Sequence, residues 1–137
     1  MPDDYAAAAV RHFVDGRLLE ANSRIANADH LFGLAAECAI KSVLANFSSF
    51  LHGGVLASAY RKHVDELWML VPLQGIQRRY GALVTVLRAL HGPFADWSTA
   101  QRYAADGVVT AEAIERHREA AKRVLGSVGL IGARAAG

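Results

Sequence analysis

Apolar residues recur along most of the chain at intervals of three and four, which is the period of an α-helix. This pattern predicts helices over residues 4–24, from 27 to about 47, over 61–71, from about 73 to 90, and from 110 onward. Gly53 and Gly54 interrupt the pattern, so residues 48–60 are predicted to form a loop, and no segment has convincing strand alternation. We therefore predict an all-α, up-and-down bundle of four to five helices, with residues 1–137 in a single domain and a glycine-rich tail that frays from about residue 126.

The second predicted helix is expected to lie at the centre of the bundle. Asn27 is a suitable cap for it, and one face of the helix is apolar or small: Leu31, Leu34, Ala35, Cys38 and Ser42. Further apolar residues widen that surface, namely Ile40, Val43, Leu44 and Phe47. In the first helix, Val10, Phe13 and Leu18 are predicted to point inward.

This apolar helix nevertheless carries ionisable residues, among them His30, Glu37 and Lys41 on one stripe. If that stripe is exposed, Glu37 and Lys41 form a surface pair worth a few tenths of a kcal/mol. If it is buried, both charges need partners, and Glu37 is predicted to accept hydrogen bonds from His63 or Arg102. The spacing alone leaves both interpretations open.

Composition narrows the class of protein without naming a function. Hydrophobic residues make up 53% of the chain and charged residues 20%, which is typical of a globular domain. A net charge of +2 is too small to indicate a nucleic-acid or membrane surface by itself. The single cysteine, Cys38, excludes an internal disulfide and suits a reducing compartment, and neither a signal peptide nor a membrane-spanning run is visible. We expect a cytoplasmic protein with no membrane partner.

Motifs for metals and cofactors are missing from the sequence. No glutamate has a histidine three residues later, as a di-iron bundle requires, and the six histidines are scattered singly. No glycine-rich loop suited to nucleotide phosphates occurs either. We therefore expect no metal and no cofactor.

The segment "NADHLFGLAAECAIKSVL" resembles the second helix of HEPN domains (higher eukaryotes and prokaryotes nucleotide-binding). In that pattern a glutamate comes four residues after a glycine, and an aliphatic residue and a lysine come three and four residues after the glutamate. The matching positions here are Gly33, Glu37, Ile40 and Lys41. The segment "HVDELW", with His63 and Leu67, resembles the third helix of the family, and Arg102-Tyr103 resembles its Arg-Tyr pair ahead of the last helix. The similarity extends over about residues 5–128.

The resemblance implies an α bundle that is often homodimeric, cytoplasmic and prokaryotic, and that often pairs with a nucleotidyltransferase. Some members are toxins that cut RNA without a metal, using an arginine four to six residues before a histidine late in the chain. Here only Arg24 and His30 have that spacing, and they lie early, at the junction of the first two helices. Glu37, Lys41, His63, Arg102 and Tyr103 are then expected to form a structural or binding network.

The resemblance therefore favours a non-catalytic HEPN-like module that binds a nucleotide, RNA or a partner protein such as a nucleotidyltransferase, and that forms a homodimer. One alternative is a metal-independent ribonuclease toxin of a toxin–antitoxin pair, with Arg24 and His30 as its candidate catalytic residues. Another is a structural or scaffolding helical protein.

Overall fold

Helices make up most of the chain in the computed structural model, which describes residues 3–103, 105 and 107–131. Six α-helices occur in these residues: α1 (Tyr5–Ala21), α2 (Ile25–Leu44), α3 (Val64–Leu70), α4 (Leu73–Ile76), α5 (Gly81–Ala89) and α6 (Ala111–Ser127). A two-stranded antiparallel hairpin, β1 (Leu51–His52) and β2 (Val55–Leu56), and short 3-10 turns connect them. The predicted all-α bundle is confirmed. None of the helices in the described ranges is long and apolar enough to cross a membrane.

The turn between α1 and α2 lies earlier in the chain than the sequence predicted. Asp4 caps α1 by accepting a hydrogen bond from the Ala7 amide at 3.0 Å. The chain then reverses within three residues, helped by Ser23, which has a positive φ of 62°. Helix α2 consequently starts at Ile25 with Arg24 as its N-cap residue, so the prediction that Asn27 caps the helix was wrong.

Helix α2 lies at the centre of the bundle, where it packs against α1, α3, α6 and the 3-10 turn Thr99–Tyr103. Its buried positions occur on every side of the helix, and several are alanines that let neighbouring helices come close: Ala28, Phe32, Ala35, Ala36, Ala39, Ile40, Val43 and Leu44. Most of the face predicted to point inward is only half-buried, including Leu31, Leu34 and Cys38. The inward prediction for Leu18 was also wrong, because α1 buries Ala9, Phe13 and Gly16 and leaves Leu18 exposed.

The predicted fourth helix is divided into α4 and α5. Tyr80 has a non-helical backbone, with φ of −126° and ψ of 46°. Its ring packs edge-on against Phe47, and its hydroxyl accepts a hydrogen bond of 2.8 Å from Asn46. These tertiary contacts explain the break, which the periodicity could not indicate. The loop predicted over residues 48–60 contains the hairpin, whose turn residues Gly53 and Gly54 both have positive φ.

Helix α6 closes the bundle. Thr110 caps it by accepting a hydrogen bond from the Ala113 amide at 3.1 Å. Its apolar stripe is buried at Ile114, Ala121, Val124 and Leu125. The helix continues through Ser127 and Ile131 is buried, whereas residues 132–137 of the predicted tail lie outside the described residues.

The closest approach in the core joins α2 to the segment between α5 and α6. The Trp97 indole lies directly over Gly33, and its Nε1 donates a hydrogen bond of 3.1 Å to the Asp29 carbonyl oxygen. A Cβ atom added at Gly33 would lie 2.1 Å from the ring. Only glycine therefore permits this contact, which holds the segment that precedes the Thr99–Tyr103 turn.

Substitution of Gly33 should be destabilising despite the better helix propensity of alanine. We expect Gly33→Ala to lower the free energy of unfolding by about 1–3 kcal/mol, because Trp97 must move and the core is overpacked. Gly126→Ala on α6 is the matched control, since its Cβ would meet only ordinary contacts, at 3.8 Å. Urea unfolding monitored by circular dichroism measures both, and equal stability of the two variants would contradict the close packing.

Candidate functional site

Glu37 is buried, and it joins α2 to α3. Its Oε1 accepts a hydrogen bond of 3.0 Å from the Val64 amide, the first of α3, and contacts His63 Nδ1 at 3.1 Å. Its Oε2 accepts from Lys41 Nζ at 3.0 Å. The side chains of Glu37 and Lys41 are 7% and 10% exposed, so the alternative of a surface pair was wrong. The carboxylate acts as a cap for a helix that has no side-chain cap of its own.

Arg102 and Tyr103 lie apart from this network. No contact between Arg102 and Glu37 occurs among the described residues, so the hydrogen bond predicted as an alternative to His63 is not formed. Instead, the Arg102 guanidinium lies 4.9 Å from the centre of the Tyr103 ring, and this ring is 79% exposed. The two residues belong to the 3-10 turn Thr99–Tyr103, which packs against α2.

One cavity lined by described residues lies between this turn and the start of α2. We call it the arginine cleft; it has a volume of about 400 Å³ and is lined by Ser23, Arg24, Ile25, Ala26, Asn27, Gln101, Arg102, Gly107 and Val109. None of these lining residues is acidic, and two are arginines. The first amides of α2 have no partner within the helix, and Arg24 supplies no side-chain cap. The cleft therefore combines positive side chains with the positive end of a helix.

His30 points elsewhere. It is not among the residues that line the arginine cleft. Its ring stacks on Trp97, with centroids 5.5 Å apart, and its Nδ1 is buried without a hydrogen-bond partner in the described part of the chain. Burial, and then the nearby charge of Arg102, lower the pKa of His30, so it is neutral at neutral pH. Arg24 and His30 are thus close in sequence, but only Arg24 lines the cleft.

A second polar cluster lies beside the cleft, and sequence analysis did not predict it. His117 of α6 is 1% exposed; its Nδ1 lies 2.6 Å from Asp29 Oδ1 and its Nε2 lies 2.7 Å from Asp96 Oδ1. Arg116 donates to both oxygens of Asp96, at 2.8 and 2.9 Å. We call Asp29, Asp96, Arg116 and His117 the aspartate–histidine cluster.

The cluster and the cleft share a wall. Gln101 lines the arginine cleft and also a smaller cavity of about 200 Å³ that Asp29, Asp96 and His117 border. Its Nε2 donates a hydrogen bond of 2.5 Å to Asp29 Oδ2. Asp29 therefore contacts both His117 of α6 and Gln101 of the Thr99–Tyr103 turn, which lines the cleft.

Metal binding and nucleophilic catalysis by cysteine have little support in the described residues. These residues contain no group of three or more His, Cys, Asp or Glu side chains arranged to hold a metal ion. Burial raises the pKa of the Cys38 thiol to about 11, so Cys38 is protonated at neutral pH and a poor nucleophile.

Comparison of the chain with protein-family models, with curated proteins and with solved structures finds no match in any of the three.

Removal of the Glu37 carboxylate should destabilise the bundle strongly. We expect Glu37→Ala to lower the free energy of unfolding by about 3–5 kcal/mol, because the Lys41 ammonium would stay buried without its partner and α3 would lose its cap. Glu20→Ala is the control: Glu20 pairs with Arg118 where both side chains are about a quarter exposed, and its loss should cost about 1 kcal/mol or less. If Glu37→Ala melts at the same temperature as the parent protein, the buried network does not stabilise the fold.

Proposed function

We propose that this protein is a HEPN-like helical module that binds a phosphate-bearing ligand, a nucleotide or single-stranded RNA, without cleaving it. The observation that carries the proposal is that Arg24 and Arg102, far apart in the sequence, line one cleft that has no acidic residue among its described lining residues. The proposal places the ligand phosphates between these two arginines.

The chemistry of the arginine cleft suits such a ligand. Guanidinium groups form paired hydrogen bonds with phosphate oxygens, and the leading amides of a helix attract anions. A volume of about 400 Å³ is within the range of small-molecule sites. The exposed Tyr103 ring, already covered on one side by Arg102, adds a surface on which a base can stack.

Binding without cleavage is favoured by the positions of Arg24 and His30. A metal-independent ribonuclease needs a phosphate-binding arginine and a proton-transferring histidine at the same scissile group. Arg24 lines the cleft, whereas His30 packs against Trp97 on another side of α2. One observation favours the ribonuclease as a second candidate: His30 is neutral and close enough to Arg102 for that charge to lower its pKa.

The resemblance also leads us to propose a homodimer and a pairing with a nucleotidyltransferase. Val14 and Leu18, one turn apart on α1, are 56% and 63% exposed, and a second copy packed there would bury them. Light scattering tests the dimer, and copurification tests the nucleotidyltransferase pairing.

Removal of either arginine of the cleft should weaken binding. We expect Arg24→Ala and Arg102→Ala each to reduce the affinity for a fluorescein-labelled oligoadenylate roughly tenfold, because each loses a charged hydrogen bond to phosphate. Each variant should also reduce the slope of log affinity against log salt by about 1. Fluorescence anisotropy at several salt concentrations measures both effects.

Matched variants separate the cleft from general charge. Arg79→Ala removes an exposed arginine that also covers a tyrosine ring, Tyr80 at 5.4 Å, but that lies outside the cleft. It should bind like the parent protein, and equal losses in all three arginine variants would reject the cleft. Tyr103→Ala should weaken binding and Tyr103→Phe should not, since phenylalanine keeps the stacking surface.

Purified protein should not cleave RNA. The measurement is the integrity of a mixed RNA pool after incubation with the protein in the presence of a chelator, because the second candidate needs no metal. Cleavage that His30→Ala abolishes and Arg79→Ala preserves would contradict the non-catalytic proposal. It would establish His30 as a catalytic residue.

A further inference from the structure

We propose that His117 is a positioning residue for the arginine cleft: through Asp29 and Gln101 it fixes the turn that carries Arg102, so that ligand affinity depends on the protonation of His117. The inference rests on the proposed function for its ligand. It adds a regulatory property to the cleft, namely sensitivity to pH.

The geometry of His117 requires a charged ring. Its two nitrogens lie 2.6 and 2.7 Å from carboxylate oxygens of Asp29 and Asp96, and ionised carboxylates only accept hydrogen bonds. A neutral imidazole has one N–H, whereas the imidazolium has two. Both contacts are therefore satisfied together only when His117 carries its positive charge.

The surroundings of His117 favour that charge. Asp29 faces it from α2, and Asp96 faces it from the segment between α5 and α6. On α6 itself, Arg116 binds Asp96 and is in turn influenced by Glu112. Burial lowers the pKa of His117, but hydrogen bonds and charges from the two aspartates outweigh burial and hold the pKa above its ordinary value. Phe94 stacks on the ring at 5.2 Å and shields it from water.

Asp29 transmits this state to the cleft. One of its oxygens contacts His117, and the other accepts the hydrogen bond from Gln101 Nε2. The Gln101 Oε1 accepts a hydrogen bond of 2.8 Å from the Ser98 amide, so the glutamine side chain is held at both ends. Arg102 is the next residue. The Asp29 side chain is only 1% exposed, so water cannot readily replace the charged donor that it loses when His117 is deprotonated.

The sign of the pH dependence follows from the raised pKa of His117. Below the ordinary histidine pKa, the His117 ring is protonated in both the folded and the unfolded protein. Its contacts with Asp29 and Asp96 are then both present in the folded protein. As the pH rises through the raised pKa of the folded state, the ring loses its positive charge and one of its two N–H donors. The Asp29 carboxylate is then buried without a counter-charge, so its side chain and Gln101 are held less firmly, and the affinity of the cleft falls.

The test is the affinity of the protein for a rhodamine-labelled oligoadenylate without terminal phosphates, measured by anisotropy from mildly acidic to mildly alkaline pH. This ligand does not titrate in that range. We expect the parent protein to bind roughly tenfold more weakly at the alkaline end. Gln101→Ala, which leaves the aspartate–histidine cluster intact but removes the link, should bind weakly throughout and lose the pH dependence. Gln74→Ala, an exposed glutamine on α4, should behave like the parent.

The outcomes separate the inference from the proposed function. If the arginine variants weaken binding but the parent and Gln101→Ala have the same pH profile, the cleft survives and the positioning role of His117 is rejected. If the arginine variants have no effect, the proposed function fails.

A measurement without ligand decides the inference in that second case. The backbone N–H of Gln101 donates a hydrogen bond of 3.1 Å to the Ser98 carbonyl oxygen. After correction for the intrinsic rate, hydrogen–deuterium exchange of this N–H should accelerate as His117 is deprotonated. An exchange rate that ignores pH in the parent protein would overturn the inference.

Discussion

The architecture depends on one constraint: the central helix α2 is packed on nearly every side, and it carries two carboxylates that have little access to bulk water. An unpaired ion in such a place costs several kcal/mol, so each carboxylate must be met by donors from other elements. Glu37 is met by Lys41, His63 and the first amide of α3, and Asp29 is met by His117 and Gln101. The positions of α3, α6 and the Thr99–Tyr103 turn are all fixed in this way.

The two carboxylates lie in opposite halves of α2, and their surroundings give them different roles. Glu37 is surrounded by groups that hold the fold, and its partner on α3 is a backbone amide that cannot titrate. Asp29 lies near the start of the helix beside the arginine cleft, and its main partner is a histidine. The ionisable residues of this apolar helix therefore serve stability at one end. At the other end they adjoin the surface that we propose for ligand binding.

The sequence was most informative where a side chain's role depends on its own helix. Periodicity was sufficient to predict the helices and the inward position of Phe13, because helical phase alone determines which residues share a face. It also placed Glu37 on an apolar helix, which left a buried and an exposed position as the two alternatives. It could not place Arg102, and it gave no sign of His117, because the Asp29–His117 contact joins residues 88 positions apart. Tyr80 shows the same limit, since its contacts with Phe47 and Asn46 interrupt a helix that its own neighbours favour.

The separation between Asp29 and His117 also affects the order in which the chain can assemble. The α1–α2 hairpin involves neighbouring segments, so its loop-closure entropy is small and it can form early. Asp29 gains its histidine partner only when residue 117 has been synthesised, 88 positions later. A hairpin that forms before then leaves the Asp29 carboxylate without that partner, and an unpaired charge favours contact with water over burial. Burial of this side of α2 is therefore coupled to the arrival of α6.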